Sequence, residues 1–125
     1  MRIVMPLDEE KDVLCPVFGR TPYFWVYDTE TGEEKIEENP AAQAQGGAGL
    51  QAAQFVLDCE ADVLITARCG KNSAEVLQAG GVQIYKAEGA NVRQNLTAWK
   101  EGNLAILEHF HGGYKGCLLY TSPSP

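Results

Sequence analysis

The sequence contains no apolar run of the roughly 18–20 residues that a membrane-spanning helix requires. The weakly apolar stretch before Asp8 is too short for a signal peptide. There is also no cluster of lysine and arginine, and the net charge is −7, whereas nucleic-acid binding depends on neutralising phosphates. We therefore expect a cytoplasmic protein that binds neither membranes nor nucleic acid.

Cysteine and histidine are sparse and scattered. The chain has four cysteines without a C-x-x-C pair, and its two histidines, His109 and His111, lie late in the sequence. No zinc spacing, G-x-S-x-G or H-E-x-x-H motif is present. In a reducing compartment the cysteines are expected to be thiols or ligands rather than disulfides. The sequence thus assembles no nucleophile with a base, and we expect no enzymatic activity.

The hydrophobic pattern predicts the element order β-β-β-α-β-α-β-α. Strands are predicted at residues 2–7 and 23–28, followed by a thin edge strand around Ile36. Residues 50–59 have helical spacing, with Leu50 in the buried stripe, and the almost continuous apolar run ADVLITA predicts a strand covered on both faces. Strand–helix alternation in the second half predicts parallel strands, and hence an α/β protein of one domain.

Capping signals fix two further helices. Asn72, with Glu75 three residues on, predicts a capping box, and Gly80-Gly81 predicts the end of that helix. The strand VQIY follows, and Asn91 with Gln94 repeats the capping pattern before a third helix.

Two glycine-containing stretches partly match nucleotide-binding motifs, but neither meets the full requirements of its motif. In CGKNS, Asn72 follows Lys71 where a phosphate loop needs serine or threonine, and Ile65 stands where it needs the first glycine. GAGLQA, residues 47–52, matches G-x-G-x-x-A but does not follow a strand. No nucleotide is therefore expected.

A soft-metal site is the remaining chemical possibility. Cys69 follows the long parallel strand, and Cys15 follows the first strand, so pairing of these strands would bring both thiols to one cleft. Arg20, Arg68 and Lys71 would then face an anionic ligand, assisted by helix amides near Asn72. The alternative for each cysteine is a small buried hydrophobe, which we expect for Cys59. His109 and His111 are weaker ligand candidates.

Several motifs follow the order and spacing of one family. They are FGRTPYFWVYDTETGE (residues 18–33), ENP (38–40), GAGLQAAQFV (47–56), ADVLITARCGKNSAEVLQAGGVQIY (61–85) and GANVRQNLTAWKEGNL (89–104). The chain resembles the dinitrogenase iron–molybdenum cofactor biosynthesis family of nitrogenase accessory proteins. The resemblance implies a ribonuclease H-like, three-layer α/β/α fold with a five-stranded mixed sheet and an antiparallel edge hairpin, and it implies no catalysis.

The resemblance also implies a role for particular positions. Phe18, Gly19 and Arg20 belong to the first loop, Gly49 to a helix start, and Gly70 and Asn72 to the turn after the fourth strand. The sequence departs from the family pattern at two places. Val17, preceded by Cys15-Pro16, replaces a histidine common in relatives, and Gly70-Lys71-Asn72 replaces Gly-Pro-Asn. Cys15 and Cys69 are therefore candidates to replace a lost metal ligand.

Two functional hypotheses remain. The first is a non-enzymatic carrier for an iron–sulfur or iron–molybdenum type cluster, with proteins of cluster biosynthesis or cluster acceptors as partners. The second is a protein-interaction module of the same fold, without metal, that uses its acidic surface. Either function would reside in a single domain of residues 1–107. We expect residues 108–125 to be a flexible tail, whose last residues resemble a vector or sequencing scar.

Overall fold

A computed structural model describes residues 1–9, 13–15, 18–42 and 47–107 of the chain. Five strands and three helices appear in the predicted order. The strands are β1 (Arg2–Leu7), β2 (Tyr23–Asp28), β3 (Glu34–Glu38), β4 (Val63–Thr66) and β5 (Gln83–Lys86), and the helices are α1 (Ala48–Asp58), α2 (Lys71–Ala79) and α3 (Val92–Lys100). His109, His111 and the rest of the expected tail lie outside the described residues.

The strands form one mixed sheet in the order β3-β2-β1-β4-β5. β1, β4 and β5 are parallel, and β2 and β3 form an antiparallel hairpin on the other side of β1. The five-stranded mixed sheet with an antiparallel edge is therefore confirmed, as is the pairing of β1 with β4. The ribonuclease H-like relationship stays a prediction.

Two apolar clusters fill the two faces of the sheet. Val4 and Leu64 join residues of α1 and α2 in one cluster, whereas Ile3 and Ile65 join residues of α3 in the other. Because neighbouring residues of a strand point to opposite faces, burial on both sides makes β1 and β4 almost continuously apolar. The result is the predicted three-layer α/β/α arrangement. Within the described residues, no helix combines the length and apolar character that crossing a bilayer requires.

Two local predictions were wrong. Gly70, in an extended conformation, is the N-cap of α2, so Asn72 lies inside the helix and caps nothing. The early start places Ser73, which is 4% exposed, against Gly49 at the start of α1, a long-range contact that a capping pattern does not include. Leu50 is 44% exposed, because α1 buries Ala52, Ala53 and Val56 instead. The Asn91 cap was correct, with the side chain accepting from the Gln94 amide at 2.8 Å.

Candidate functional site

The candidate site lies at the carboxyl ends of β1 and β4. The two strands are parallel neighbours, so the loops that follow them leave the same edge of the sheet. The chain passes from β1 toward β2 on one side, and from β4 toward β5 on the other. In open α/β sheets, a crevice for ligands forms where neighbouring strands connect in opposite directions. The segments that carry Cys15 and Arg20 therefore come to the same edge as the segment of residues 68–72.

Three pieces of backbone touch at this edge. A Cβ placed on Gly19 would lie 2.9 Å from both the Cα and the N of Gly49, and a Cβ on Gly49 would lie 2.5 Å from Ser73 Oγ. Real Cβ atoms essentially never lie within 3.0 Å of another atom. The obstacle at Gly19 is backbone, so glycine is required there, whereas the obstacle at Gly49 is the Ser73 hydroxyl. The loop after β1, the start of α1 and the start of α2 thus form one contiguous surface, which we call the glycine contact.

Buried polar side chains hold the first loop in place. Asn39 is 6% exposed, and its Nδ2 donates to the carbonyl oxygens of Gly19 at 3.1 Å and Thr21 at 2.8 Å. Its Oδ1 accepts from the Ala41 amide at 2.9 Å, and the fully buried Thr21 hydroxyl donates to the Leu7 carbonyl at 2.6 Å. Sequence reasoning missed both side chains as supports of the site. The signal available was the ENP motif, which was noted only as part of the resemblance.

Two helices begin at the glycine contact without a side-chain cap. The N-caps of α1 and α2 are Gly47 and Gly70, neither helix has a side-chain cap hydrogen bond, and neither has an acidic residue in its first turn. The amides at a helix start carry partial positive charge and suit an anion. α3, in contrast, receives a cap from Asn91. The start of α2, which includes Lys71 and Asn72, is therefore suited to binding a negative group.

The three predicted cations are exposed around these helix starts. Arg20 follows Gly19 directly, and its Nη1 donates to the Ala42 carbonyl at 3.4 Å. Arg68 lies in the turn after β4, where the Thr66 hydroxyl donates to the Arg68 carbonyl at 3.1 Å, and Lys71 opens α2. The structure therefore brings Arg20, Arg68 and Lys71 to one edge of the sheet, where their charges favour an anionic ligand.

The cysteines differ sharply in accessibility. Cys15 is half-buried, and its amide donates to the Pro6 carbonyl at 2.9 Å, beside the end of β1. Cys69 is 1% exposed within the apolar cluster on the α1–α2 face, and burial raises the pKa of its thiol to about 12. A thiol in that environment stays protonated, so ligation by Cys69 requires the turn after β4 to open. That both thiols bind metal stays a prediction.

Cys59 lies at the other end of the sheet. Its carbonyl accepts from Arg2 Nη1 at 2.9 Å, and the pKa of its half-buried thiol is raised, first by burial and then by the nearby carboxylates of Glu37 and Asp58. Its side chain helps to line a shallow depression whose other lining residues include three carboxylates and two cations. This mixed charge suits a polyanion less well than the cationic edge does. The residues are Arg2, Val26, Asp28, Glu33, Lys35, Glu37 and Cys59.

The donor set indicates how a metal–sulfur cluster would be held. No group of three or more histidine, cysteine, aspartate or glutamate side chains close enough to bind a metal ion occurs among the described residues. Cations and the amides of two helix starts are nevertheless present along the edge that holds the glycine contact, and the half-buried Cys15 lies beside the end of β1. This set fits a bound anion of low charge density better than a metal ion enclosed by protein ligands.

Comparison with known proteins identifies relatives along most of the chain. The apo form of the orange protein from Desulfovibrio gigas is 30% identical, with a TM-score of 0.79, and the match covers 85% of this chain and 92% of that one. A Thermotoga protein provisionally assigned as NifB is 33% identical, with a TM-score of 0.72 and the same coverage. An uncharacterised protein of Methanocaldococcus jannaschii is 29% identical over 111 residues, 86% of this chain and 92% of its own length.

A family match covers more of the chain than any single motif. Residues 1–102 match the family described as dinitrogenase iron-molybdenum cofactor. This range includes all five strands and three helices, together with the glycine contact and every predicted site residue except the two histidines. The resemblance seen in the sequence motifs is thereby confirmed, and the chain belongs to the dinitrogenase iron–molybdenum cofactor family.

Proposed function

We propose that this protein is a non-enzymatic carrier that binds an anionic metal–sulfur cluster, of the iron–sulfur or iron–molybdenum type, as its cargo. The observation that supports this most directly is the glycine contact with three cations around it. Gly19 and Gly49 let the first loop and two helix starts meet, and the exposed Arg20, Arg68 and Lys71 belong to segments that reach the same edge of the sheet. Family membership supports a role in nitrogenase cofactor or metal-cluster handling.

Each group has a defined part in this proposal. The exposed cations offset the negative charge of the cargo, and the first amides of α2, with Gly70 and Asn72, donate hydrogen bonds to it. The half-buried Cys15 supplies a sulfur ligand, and Cys69 contributes only if the turn after β4 opens. Proteins that build or accept the cluster are the expected partners, and the cytoplasm, where thiols stay reduced, is the proposed compartment.

The test is an anaerobic titration of the protein with tetrathiomolybdate and, separately, with iron and sulfide, followed by visible absorption. Binding of either probe should produce an absorption band that the free probe lacks. Lys71→Gln should weaken thiomolybdate binding by roughly two- to fivefold, because one exposed charge pair is lost. Lys100→Gln is the matched control, since Lys100 is exposed at the far end of α3, near Tyr27. It should leave the affinity unchanged.

A second pair of variants tests the thiol. Cys15→Ser should reduce the band, whereas Cys59→Ser, which alters the half-buried cysteine at the other end of the sheet, should not. Cys69→Ser distinguishes a ligand from a packing residue, because a buried ligand requires its sulfur and a packing residue does not. Protein that produces no new absorption band with either probe, or that responds equally to Lys71→Gln and Lys100→Gln, would refute the carrier function.

The exposure of β3 favours a second candidate function, a protein-interaction module without metal. All five residues of β3 are exposed, and they include three glutamates. Charge reversal within residues 33–38 should then abolish capture of a partner protein, whereas replacing Cys15 and Cys69 should not. The opposite pattern would eliminate this candidate.

A further inference from the structure

The edge strand β3 has one side of its backbone unpaired by any described strand. β3 pairs with β2 alone, and all its residues are exposed. The Asp28 amide donates to the Glu33 carbonyl at 3.0 Å, and the Asn39 amide donates to the Pro22 carbonyl at 3.0 Å. These two bonds continue the pairing register of β2 and β3 at either end of the ladder. They therefore show which residues of β3 form hydrogen bonds with β2.

The alternation of an antiparallel ladder decides the direction of the remaining groups. Residues 33 and 39 bond to β2, and in an antiparallel ladder every second residue does the same. Residues 33, 35, 37 and 39 therefore direct their N–H and C=O groups toward β2. Glu34, Ile36 and Glu38 therefore direct their N–H and C=O groups away from β2, where a further strand can form hydrogen bonds with them. Ile36, at the centre of this edge, is a large hydrophobic residue that is 47% exposed.

We propose that β3 pairs antiparallel with β3 of a second copy of this chain, about a two-fold axis through Ile36, to form a continuous ten-stranded sheet. In this register Ile36 faces the partner's Ile36 as a hydrogen-bonded pair, and Glu34 faces the partner's Glu38. All outward N–H and C=O groups of the three residues find partners. The interface lies two strands away from the cargo site, so it does not depend on the proposed carrier function.

Charge complementarity selects this register. Lys35 faces the partner's Glu37, and the two-fold axis repeats the pair, in the non-hydrogen-bonded positions where side chains approach most closely. Within one chain, neither Lys35 nor Glu37 has an ion pair with another described residue. Moving the register by two residues would place Lys35 against the partner's Lys35, or Glu37 against the partner's Glu37, and both arrangements repel.

The remaining like-charge contact is compensated within each chain. Glu34 would face the partner's Glu38, but its carboxylate accepts from Arg93 at 2.8 and 3.2 Å and from Trp25 Nε1 at 3.2 Å. Arg93 thus places a positive charge beside the contact. Charged residues usually protect edge strands from association. The sequence EKIEE is unusual in being self-complementary at its two innermost charges.

Reciprocal charge reversal tests the pairing. Because only an edge is buried, wild-type protein should dimerise weakly, and sedimentation is measured up to protein concentrations of roughly 1 mM. Lys35→Glu and Glu37→Lys alone should each weaken self-association roughly tenfold or more, since both cross-strand pairs become repulsive. A mixture of the two variants should form a heterodimer, because a glutamate of one variant then faces a lysine of the other at both cross-strand pairs. Circular dichroism checks that each variant is folded.

Amide exchange supplies an independent readout. In the dimer, the amides of Glu34, Ile36 and Glu38 should gain protection as the concentration rises, whereas those of Lys35 and Glu37, which bond to β2, are protected throughout. A wild-type protein that stays monomeric at roughly 1 mM would overturn the proposal. So would a dimer that forms equally well in both single variants, because another surface would then be the interface, and so would variants that fail to pair when mixed.

Discussion

Replacing Gly49 by alanine should destabilise the protein, although the same change usually stabilises a helix. Gly49 lies in the first turn of α1, where alanine is favoured over glycine by up to about 1 kcal/mol. The new Cβ, however, would lie 2.5 Å from Ser73 Oγ, roughly 1 Å inside the ordinary contact distance. Overpacking of this kind costs about 1–3 kcal/mol, so we expect Gly49→Ala to lower the free energy of unfolding by about 1–2 kcal/mol.

A second substitution separates this cause from a general loss of packing. Ser73 Cβ is 3.8 Å from the position of the added methyl, an ordinary van der Waals distance. Removing the hydroxyl with Ser73→Ala should therefore relieve the clash completely. The double variant Gly49→Ala/Ser73→Ala should be at least as stable as Ser73→Ala alone, because only the gain in helix propensity remains. The coupling energy between the two sites should be about 1–3 kcal/mol.

Urea unfolding followed by circular dichroism measures these differences, provided the transition is two-state. Gln51→Ala, at an exposed position of the same helix, is the control for a change in helix propensity without a change in packing. It should change the free energy of unfolding by less than about 0.5 kcal/mol. If Gly49→Ala is as stable as wild type, Ser73 has moved aside without cost and the glycine contact is not tight. If Gly49→Ala costs as much in the Ser73→Ala background as it does in the wild type, the hydroxyl is not the obstacle.

Two smaller effects follow from polar contacts of α3. The hydrogen bond from Arg93 lowers the pKa of Glu34, so this pair stabilises the fold above the ordinary Glu pKa of 4.5 and loses its effect as the pH falls through the lowered value. Since Arg93 is 69% exposed, Arg93→Gln should cost less than about 1 kcal/mol at pH 7 in urea unfolding, and nothing in strong acid. In the same assay Asn91→Ala should cost about 1 kcal/mol through loss of the cap, whereas Asn72→Ala should be neutral within about 0.5 kcal/mol. An equal loss in both asparagine variants would contradict the assigned helix starts.

The order and type of the elements could be predicted because local pattern and burial agree. The run in β4 is almost continuously apolar because helices cover both faces, and the alternation of strand and helix after it favours parallel pairing. The Asn91 cap depends on residues three positions apart, which a sequence displays directly. Pairing of β1 with β4, which brings the site together, followed from the same logic.

Long-range contacts account for the features that could not be predicted. Asn39 and Thr21 have the composition of surface loops, but they are buried because they bind carbonyls up to 20 residues away. In the first turn of α2, Ser73 packs against Gly49, and no capping rule contains that contact. α1 exposes Leu50 because it buries Ala52, Ala53 and Val56 instead. Each error arose where tertiary packing overrode a local preference.

The burial of Cys69 changes what kind of carrier the site can form. Burial raises the pKa of this thiol from its ordinary 9.0 to about 12, which corresponds to roughly 4 kcal/mol against the thiolate. Among the described residues at this edge, the half-buried Cys15 is then the more exposed thiol, and the carrier proposal relies on it rather than on Cys69. A cluster held by one thiolate, three exposed cations and helix amides would have few covalent bonds to break on release. Such a site is better suited to transferring its cargo than to storing it, because enclosure by several thiolates would slow dissociation.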